Sequence, residues 1–114
     1  MDVNSEHLLL ATLRRHIGRK NGVTARVLVA EVNASAMRRL LNERDLRSLV
    51  TTLRLQGHHV CAHPASGYYL AENVAELTES TKFLKDRALS SLQQVAAMER
   101  VSLPDLFGQL HIPT

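Results

Sequence analysis

The chain has 114 residues, a hydrophobic content of 45% and a formal net charge of +3, values that fit one small globular domain. Aromatic residues make up 4% and Trp is absent, so aliphatic side chains must build the interior, which favours helices. The single cysteine, Cys61, excludes an intrachain disulfide, and the short apolar run beside an acidic N-terminus matches neither a membrane span nor a signal peptide. We therefore expect a cytoplasmic protein without a membrane segment.

The first predicted element is a helix from about Asn4 to Ile17, capped by Asn4 or Ser5 and closed before Gly18. Its predicted buried side consists of Leu9, Leu10, Leu13 and Ile17. A basic cluster at the end of this helix indicates either a solvated helix end or a surface for phosphates. Its members are Arg14, Arg15, His16, Arg19 and Lys20. The turn dipeptide Asn21-Gly22 closes the segment.

A second helix is predicted from Ala25 to about Val32, with Thr24 as its cap. The apolar residues of this segment would also suit a strand, but a helix can pack beneath the arginine-rich helix that follows. Residues 33–42 allow alternatives: the second helix is really 34–41, an extra helical turn is inserted, or one long helix continues onward. This segment is longer than the few residues that normally join the two helices of a helix-turn-helix. It also carries Arg38 and Arg39.

The segment from Glu43 to Gln56 predicts an amphipathic helix with one apolar and one arginine-rich face. The apolar stripe consists of Leu46, Leu49, Val50 and Leu53. The opposite face carries Arg44, Arg47, Ser48, Thr51 and Arg54. Gly57 follows directly and supplies the left-handed conformation that commonly ends a helix.

Residues 58–71 predict a β-hairpin, with strands near 58–62 and 68–71 and HPASG as its tip. Alternation places Val60 and Ala62 on one face. The other face would hold a half-buried Cys61 between exposed His59 and His63. A zinc site on these three ligands is not favoured, because alternate positions of one strand spread them over about 13 Å. We expect His63 and Ser66 instead at a tip that reaches a DNA groove or a phosphate.

A long helix is predicted after Asn73, which forms a capping-box pattern with Glu76. Apolar residues then follow a heptad-like spacing over about 40 Å, and we expect them to pair two copies of the chain. The predicted contact residues are Leu77, Leu84, Ala88, Leu92, Val95 and Met98. The alternative is that this helix folds back on the first helix of its own subunit. The tail, with Leu103, Leu106, Phe107, Leu110 and Ile112, has the composition of a docked arm.

The segment LRLQGHHVCAHPASGYYLA resembles the helix-to-wing passage of winged helix-turn-helix domains, including the biotin-repressor type. In those domains a helix ending in Leu-Arg and Gly leads to a hairpin whose return strand reads Gly-Tyr-x-Leu. Through FLKDRALSSLQQ and LPDLFGQL, residues 44–114 resemble small winged-helix proteins encoded by bacteriophages and prophages. The resemblance implies a mainly α fold with a small β-hairpin, in which residues 1–72 form the winged helix-turn-helix. Residues 73–114 would then form a C-terminal helix and apolar tail.

The resemblance implies a sequence-specific double-stranded DNA-binding protein, a phage or prophage regulator in a bacterial host. We expect Arg44, Arg47, Ser48 and Thr51 near base edges in the major groove and Arg54 on a phosphate. The hairpin would lie along the adjacent backbone or minor groove. Sequence-independent attraction would come from Arg14, Arg15, Arg19, Lys20, Arg38 and Arg39. A homodimer would require a two-fold repeated site.

A second hypothesis is that the fold binds a host protein through Leu55, the long helix and the tail. Enzymatic activity is not expected, because the sequence has no paired carboxylates in an apolar setting, no Ser-His-Asp spacing and no glycine-rich phosphate loop. We accordingly predict no catalytic residues, no cofactor and no metal.

Overall fold

The computed structural model describes residues 3–99 and residue 104. Three helices come first, α1 (Val3–Leu13), α2 (Ala25–Ala36) and α3 (Glu43–Leu55), with a short 3-10 turn at Arg19–Asn21 between α1 and α2. An antiparallel hairpin of β1 (Val60–His63) and β2 (Gly67–Leu70) follows, and then α4 (Val74–Glu99). The predicted fold class, mainly α with a small β-hairpin, is confirmed. None of the described helices is both long and apolar enough to cross a membrane.

Contacts within the chain divide it into two units after Ser80. The first unit therefore includes the first two turns of α4 in addition to α1, α2, α3 and the hairpin. The sequence-based boundary between residues 72 and 73 lies earlier than this division. The predicted docked arm in the tail lies outside the described residues, and so do its five apolar side chains.

The core of the first unit is mainly aliphatic, as the low aromatic content predicts, although the aromatic side chain of Tyr69 is also buried. The predicted apolar stripe of α3 is confirmed, since each of its four side chains is at most 2% exposed. Helices α1 and α2 and the flanking segments complete the cluster with Leu9, Leu13, Val23, Leu28, Val32, Leu41 and Val60. Burying each of these side chains contributes about 1.5–3 kcal/mol relative to exposure. This core fixes which face of α3 points outward.

Helix α1 is shorter at its end than predicted, and Ile17 is not part of its buried side. The helix ends at Leu13, and Ile17 is 47% exposed. Residues 16–18 pair with β2 instead: the Gly18 amide donates to the Leu70 carbonyl at 2.8 Å, and the Leu70 amide donates to His16 at 2.9 Å. Extended pairing is incompatible with helix, so the chain leaves the helix before this segment. The predicted caps are also wrong, because Asn4 and Ser5 lie inside α1.

A second pairing joins Val23 to β2 and was not predicted. The Val23 and Tyr68 backbones exchange two hydrogen bonds, at 2.9 and 2.7 Å. The approach is so close that a Cβ on Gly67 would lie 2.2 Å from the Val23 carbonyl oxygen. Strand β2 is thus bonded on both sides, by β1 and by the segment between α1 and α2.

The connection between α2 and α3 differs from all three predicted alternatives. Helix α2 continues through Ala36, and Met37 ends it in the left-handed conformation with φ 56°. Residues 38–42 then form a loop held by the Asn33 side chain. Its Oδ1 accepts from the Leu40 and Leu41 amides, both at 2.9 Å, and its Nδ2 donates to the Leu41 carbonyl at 3.0 Å. The Asn33 side chain therefore holds this segment as a loop, where an extra helical turn was one of the predicted alternatives.

The hairpin begins two residues later than predicted and is covered on the face that holds Cys61. The Cys61 thiol is fully buried rather than half-buried, and it lies 3.9 Å from the Glu76 carbonyl. The Ala62 amide donates to the Ser80 hydroxyl at 3.3 Å. The first two turns of α4 thus pack on this face of the hairpin, which alternation within the strand alone does not reveal.

Candidate nucleic-acid interface

Helix α3 begins with a complete capping box. The Asn42 side chain accepts from the Asp45 amide at 2.8 Å, and the Asp45 carboxylate accepts from the Asn42 amide at 3.0 Å. Glu43 and Asp45 also place negative charge beside the positive end of the helix dipole. These interactions fix the start of the helix and the direction of the residues that follow.

Four of the five predicted groups share the exposed face of α3: Arg44, Arg47, Ser48 and Thr51. The two arginines form no ion pair with any residue in 3–99. The Thr51 hydroxyl donates to the Arg47 carbonyl at 3.2 Å, within the helix. This face therefore presents two guanidinium groups and two hydroxyl side chains to solvent.

Arg54 has a different environment from the other arginines of α3. Its side chain is half-buried, and its Nε donates to the Val60 carbonyl at 2.8 Å. The His58 amide also donates to Leu53 at 3.0 Å, and Gly57 turns the chain with φ 95°. The C-terminal end of α3 is thus tied to the first residue of β1.

Three predicted site residues, Arg19, His63 and Ser66, are brought together with Glu79 in a group that we call the Arg19 cluster. Arg19 Nη1 contacts the two carboxylate oxygens of Glu79 at 3.0 and 3.2 Å, and Arg19 Nε lies 3.4 Å from Ser66 Oγ. Arg19 Nη2 lies beside His63 Nε2. The His63 side chain is only 16% exposed, and its Nδ1 accepts from the Ala65 amide at 3.0 Å. The predicted exposure of His63 is therefore wrong.

Glu76 extends the same contacts to the start of α4. Its carboxylate accepts from the Glu72 amide at 2.9 Å and from the Arg19 amide at 3.0 Å, and these bonds lower the pKa of Glu76. The Asn73 side chain caps α4 by accepting from the Glu76 amide at 2.9 Å. The predicted cap is present, but the Glu76 carboxylate bonds to Glu72 and Arg19 instead of closing the box.

A shallow surface depression of about 550 Å³ lies beside the Arg19 cluster. Its lining consists of Arg19, Lys20, Gly22, Ala65, Ser66 and Glu76. Because the lining includes the Glu76 carboxylate and an arginine already bonded to Glu79, the depression is not a simple anion site.

The remaining predicted basic residues are mostly unpaired surface groups. Arg15 lies 3.7 Å from Glu31, which also contacts His16 Nε2 at 2.7 Å. Four others are exposed and form no ion pair within the described part of the chain: Arg14, Lys20, Arg38 and Arg39. They are available to attract a polyanion, whereas Arg19 and Arg54 are engaged within the first unit.

The predicted contact residues of α4 differ in exposure. Leu77 and Leu92 are half-buried and Ala88 is exposed. Leu84 is 41% exposed, Val95 37% and Met98 85%. The second unit therefore presents apolar side chains along its helix.

Metal coordination has no support in the residues that the structure describes, since no group of three or more His, Cys, Asp or Glu side chains among them is placed to hold an ion. Burial raises the pKa of the Cys61 thiol, which disfavours the thiolate that zinc requires.

Asn33 and Glu79 position the site and were not predicted from the sequence. Glu79 lies 60 residues from Arg19 along the chain, and nothing local indicates their pairing. A polar residue in the last turn of α2 was the one available signal for Asn33.

No protein-family model, curated protein or solved structure matches this chain. The residues themselves, and their geometry, are therefore the basis for a functional proposal.

Proposed function

We propose that the protein binds double-stranded DNA as a winged helix-turn-helix, with α3 in the major groove and the hairpin as the wing. The observation that supports this most directly is the exposed face of α3, where Arg44 and Arg47 lie beside Ser48 and Thr51. Arginine pairs bidentately with guanine, and hydroxyl groups bond to several bases. The hairpin follows α3 directly and is bonded to it through Arg54.

The other basic residues divide into two roles under this proposal. Arg14, Lys20, Arg38 and Arg39 attract phosphates without reading sequence, so affinity falls steeply with salt. Arg15 adds to this attraction despite its long contact with Glu31, because it stays largely exposed. Arg19, Arg54 and His63 act as positioning residues, since each is bonded to another element of the first unit. Ser66 lies at the wing tip beside Arg19.

We further propose that the exposed apolar side chains of α4 join two copies of the chain. Leu84, Val95 and Met98 are large and solvent-exposed in the single chain, and burying them against a second copy removes that exposure. A symmetric dimer requires two half-sites separated by about whole helical turns of DNA. The resemblance described above supports a phage or prophage regulator that acts in the cytoplasm of a bacterial host.

A second candidate function is binding to a host protein. Leu55 is 84% exposed and Met98 85%, and exposed apolar side chains mark a protein interface where they join into a larger patch. The charged face of α3 favours DNA over this alternative.

Fluorescence anisotropy with a random duplex at two salt concentrations, followed by selection of bound sequences, tests the DNA proposal. Replacing Arg44 and Arg47 together by Ala should remove selective binding and leave helical content and oligomer size unchanged. The matched control is Lys85→Ala with Arg87→Ala, which removes two exposed cations from α4 and should retain selective binding. Absence of DNA binding by the unaltered protein at low salt would overturn the proposal and favour a protein partner.

A further inference from the structure

We propose that Leu55 reads a thymine methyl group, so that the DNA half-site has guanine toward one end of α3 and thymine toward the other. This inference rests on the proposed DNA-binding function and specifies the sequence class that the same helix recognises. It assigns a reading role to a side chain that the charge pattern alone does not select.

Leu55 belongs to the same stripe as the polar groups of α3. Arg44, Ser48, Thr51 and Leu55 are separated by four, three and four residues, the spacing that places side chains in one row along a helix. Leu55 is 84% exposed, whereas every leucine on the opposite stripe of α3 is at most 2% exposed. Its side chain is therefore directed away from the core.

The neighbours of Leu55 are engaged elsewhere. Arg54 donates to the Val60 carbonyl, and Gln56 Nε2 donates to the Glu6 carboxylate at 3.2 Å. The Thr51 hydroxyl proton is directed to the Arg47 carbonyl at 3.2 Å, so Thr51 offers an acceptor and a methyl group. At this end of the row, Leu55 supplies the largest outward-facing contact, and that contact is apolar.

The row of side chains changes from charged at Arg44 to apolar at Leu55, and the major groove of DNA offers both polar and apolar groups to contact. In the major groove, the thymine C5-methyl is the apolar group that distinguishes bases, while guanine presents two acceptors to an arginine. Eleven residues of helix span about 16 Å, which corresponds to about five base pairs at roughly 3.4 Å each. The two arginines on this face also match the negative charge of DNA better than an apolar protein surface.

The test uses the full chain and a site selected from random duplexes. Each thymine in the site is replaced in turn by uracil, which lacks the methyl group and keeps the base-pairing edge. We expect one replacement, about four to five base pairs from the guanine that Arg44 contacts, to weaken binding about threefold to fourfold. The same replacement should leave the affinity of Leu55→Ala unchanged, because the contact is already absent. Gln56→Ala is the control and should keep the uracil effect.

Other results have distinct meanings. If no uracil replacement weakens binding, or if the loss is equal in Leu55→Ala, the methyl-reading role is overturned while DNA binding stands. If Leu55→Ala changes self-association and leaves the uracil effect intact, Leu55 belongs to a protein interface and the inference is also overturned. If the unaltered protein binds no duplex at low salt, the proposed function fails, and the inference fails with it.

Discussion

Arg54 Nε donates a 2.8 Å hydrogen bond to the backbone carbonyl of Val60, which links the last turn of α3 to the first residue of β1. This bond gives a carbonyl of β1 a hydrogen-bond donor and holds the hairpin against the end of α3. An arginine that the helical pattern groups with base-reading residues therefore connects two elements of the fold. Removing Arg54 should therefore lower the stability of the protein and leave unchanged the number of cations that contact DNA.

Replacing Arg54 by Ala should destabilise the protein by about 1–2 kcal/mol, because the Val60 carbonyl loses a charge-assisted donor. The measurement is urea unfolding followed by circular dichroism. Arg26→Ala, at an exposed position of α2, is the matched control and should change stability by less than about 0.5 kcal/mol. In DNA titrations, Arg54→Ala should keep the salt dependence of the unaltered protein; a reduced slope would show that Arg54 contacts a phosphate.

Gly67→Ala should destabilise the protein more than Gly57→Ala. Both glycines have positive φ, 79° and 95°, and an alanine there costs about 1–2 kcal/mol in conformation. At Gly67 the new Cβ would also lie 2.2 Å from the Val23 carbonyl, whereas at Gly57 it would meet nothing within 4 Å. We expect the steric overlap to add about 1–3 kcal/mol to the loss, measured as the difference between the two unfolding free energies. If the two variants lost the same unfolding free energy, β2 would be able to move away from Val23 with no loss of stability.

Asn33→Ala should destabilise the protein by about 2–3 kcal/mol, because three hydrogen bonds to the loop before α3 are lost together. Asn33→Asp keeps the acceptor for the Leu40 and Leu41 amides, but it turns a carboxylate oxygen toward the Leu41 carbonyl oxygen in place of the donor, so it should also lose stability. Ser35→Ala, at an exposed position of the same helix, serves as the control. Chemical denaturation of the three variants gives the order, and a neutral Asn33→Ala would contradict the role of this side chain as a clamp.

Acid should lower the stability of the folded protein, partly through protonation of Glu76. Hydrogen bonds from the Glu72 and Arg19 amides lower the pKa of Glu76 from its ordinary 4.5, so the unfolded chain binds the proton first as pH falls. The stabilisation is complete above about pH 4.5 and is lost as pH falls through the folded-state pKa. Unfolding midpoints between pH 6 and pH 3 should therefore decline less steeply for Glu76→Gln than for the unaltered protein. Parallel curves for the two proteins would contradict this assignment.

Local periodicity was sufficient to predict much of the fold. The stripe of Leu46, Leu49, Val50 and Leu53, with Gly57 after it, defines α3 to within one residue. The cap at Thr24 and the hairpin between His58 and Ala71 could also be predicted, because each depends on residues that are close together in the sequence. Helical period, cap and turn preferences are properties of short segments, and the sequence displays them directly.

Short-range patterns in the chain were enough to predict which helix faces are apolar, where α3 begins and ends, and that a cationic face points away from the core. The folded structure sets which cations stay available: Arg44 and Arg47 face solvent, while Arg54 bonds to Val60 and Arg19 to Glu79. It also decided that Ile17 leaves α1 to pair with β2 and that Cys61 is covered by the start of α4. The difference arises from separation along the chain. A long side chain or an extended backbone bonds to whichever group the fold brings near it, and that group can lie 60 residues away in the sequence.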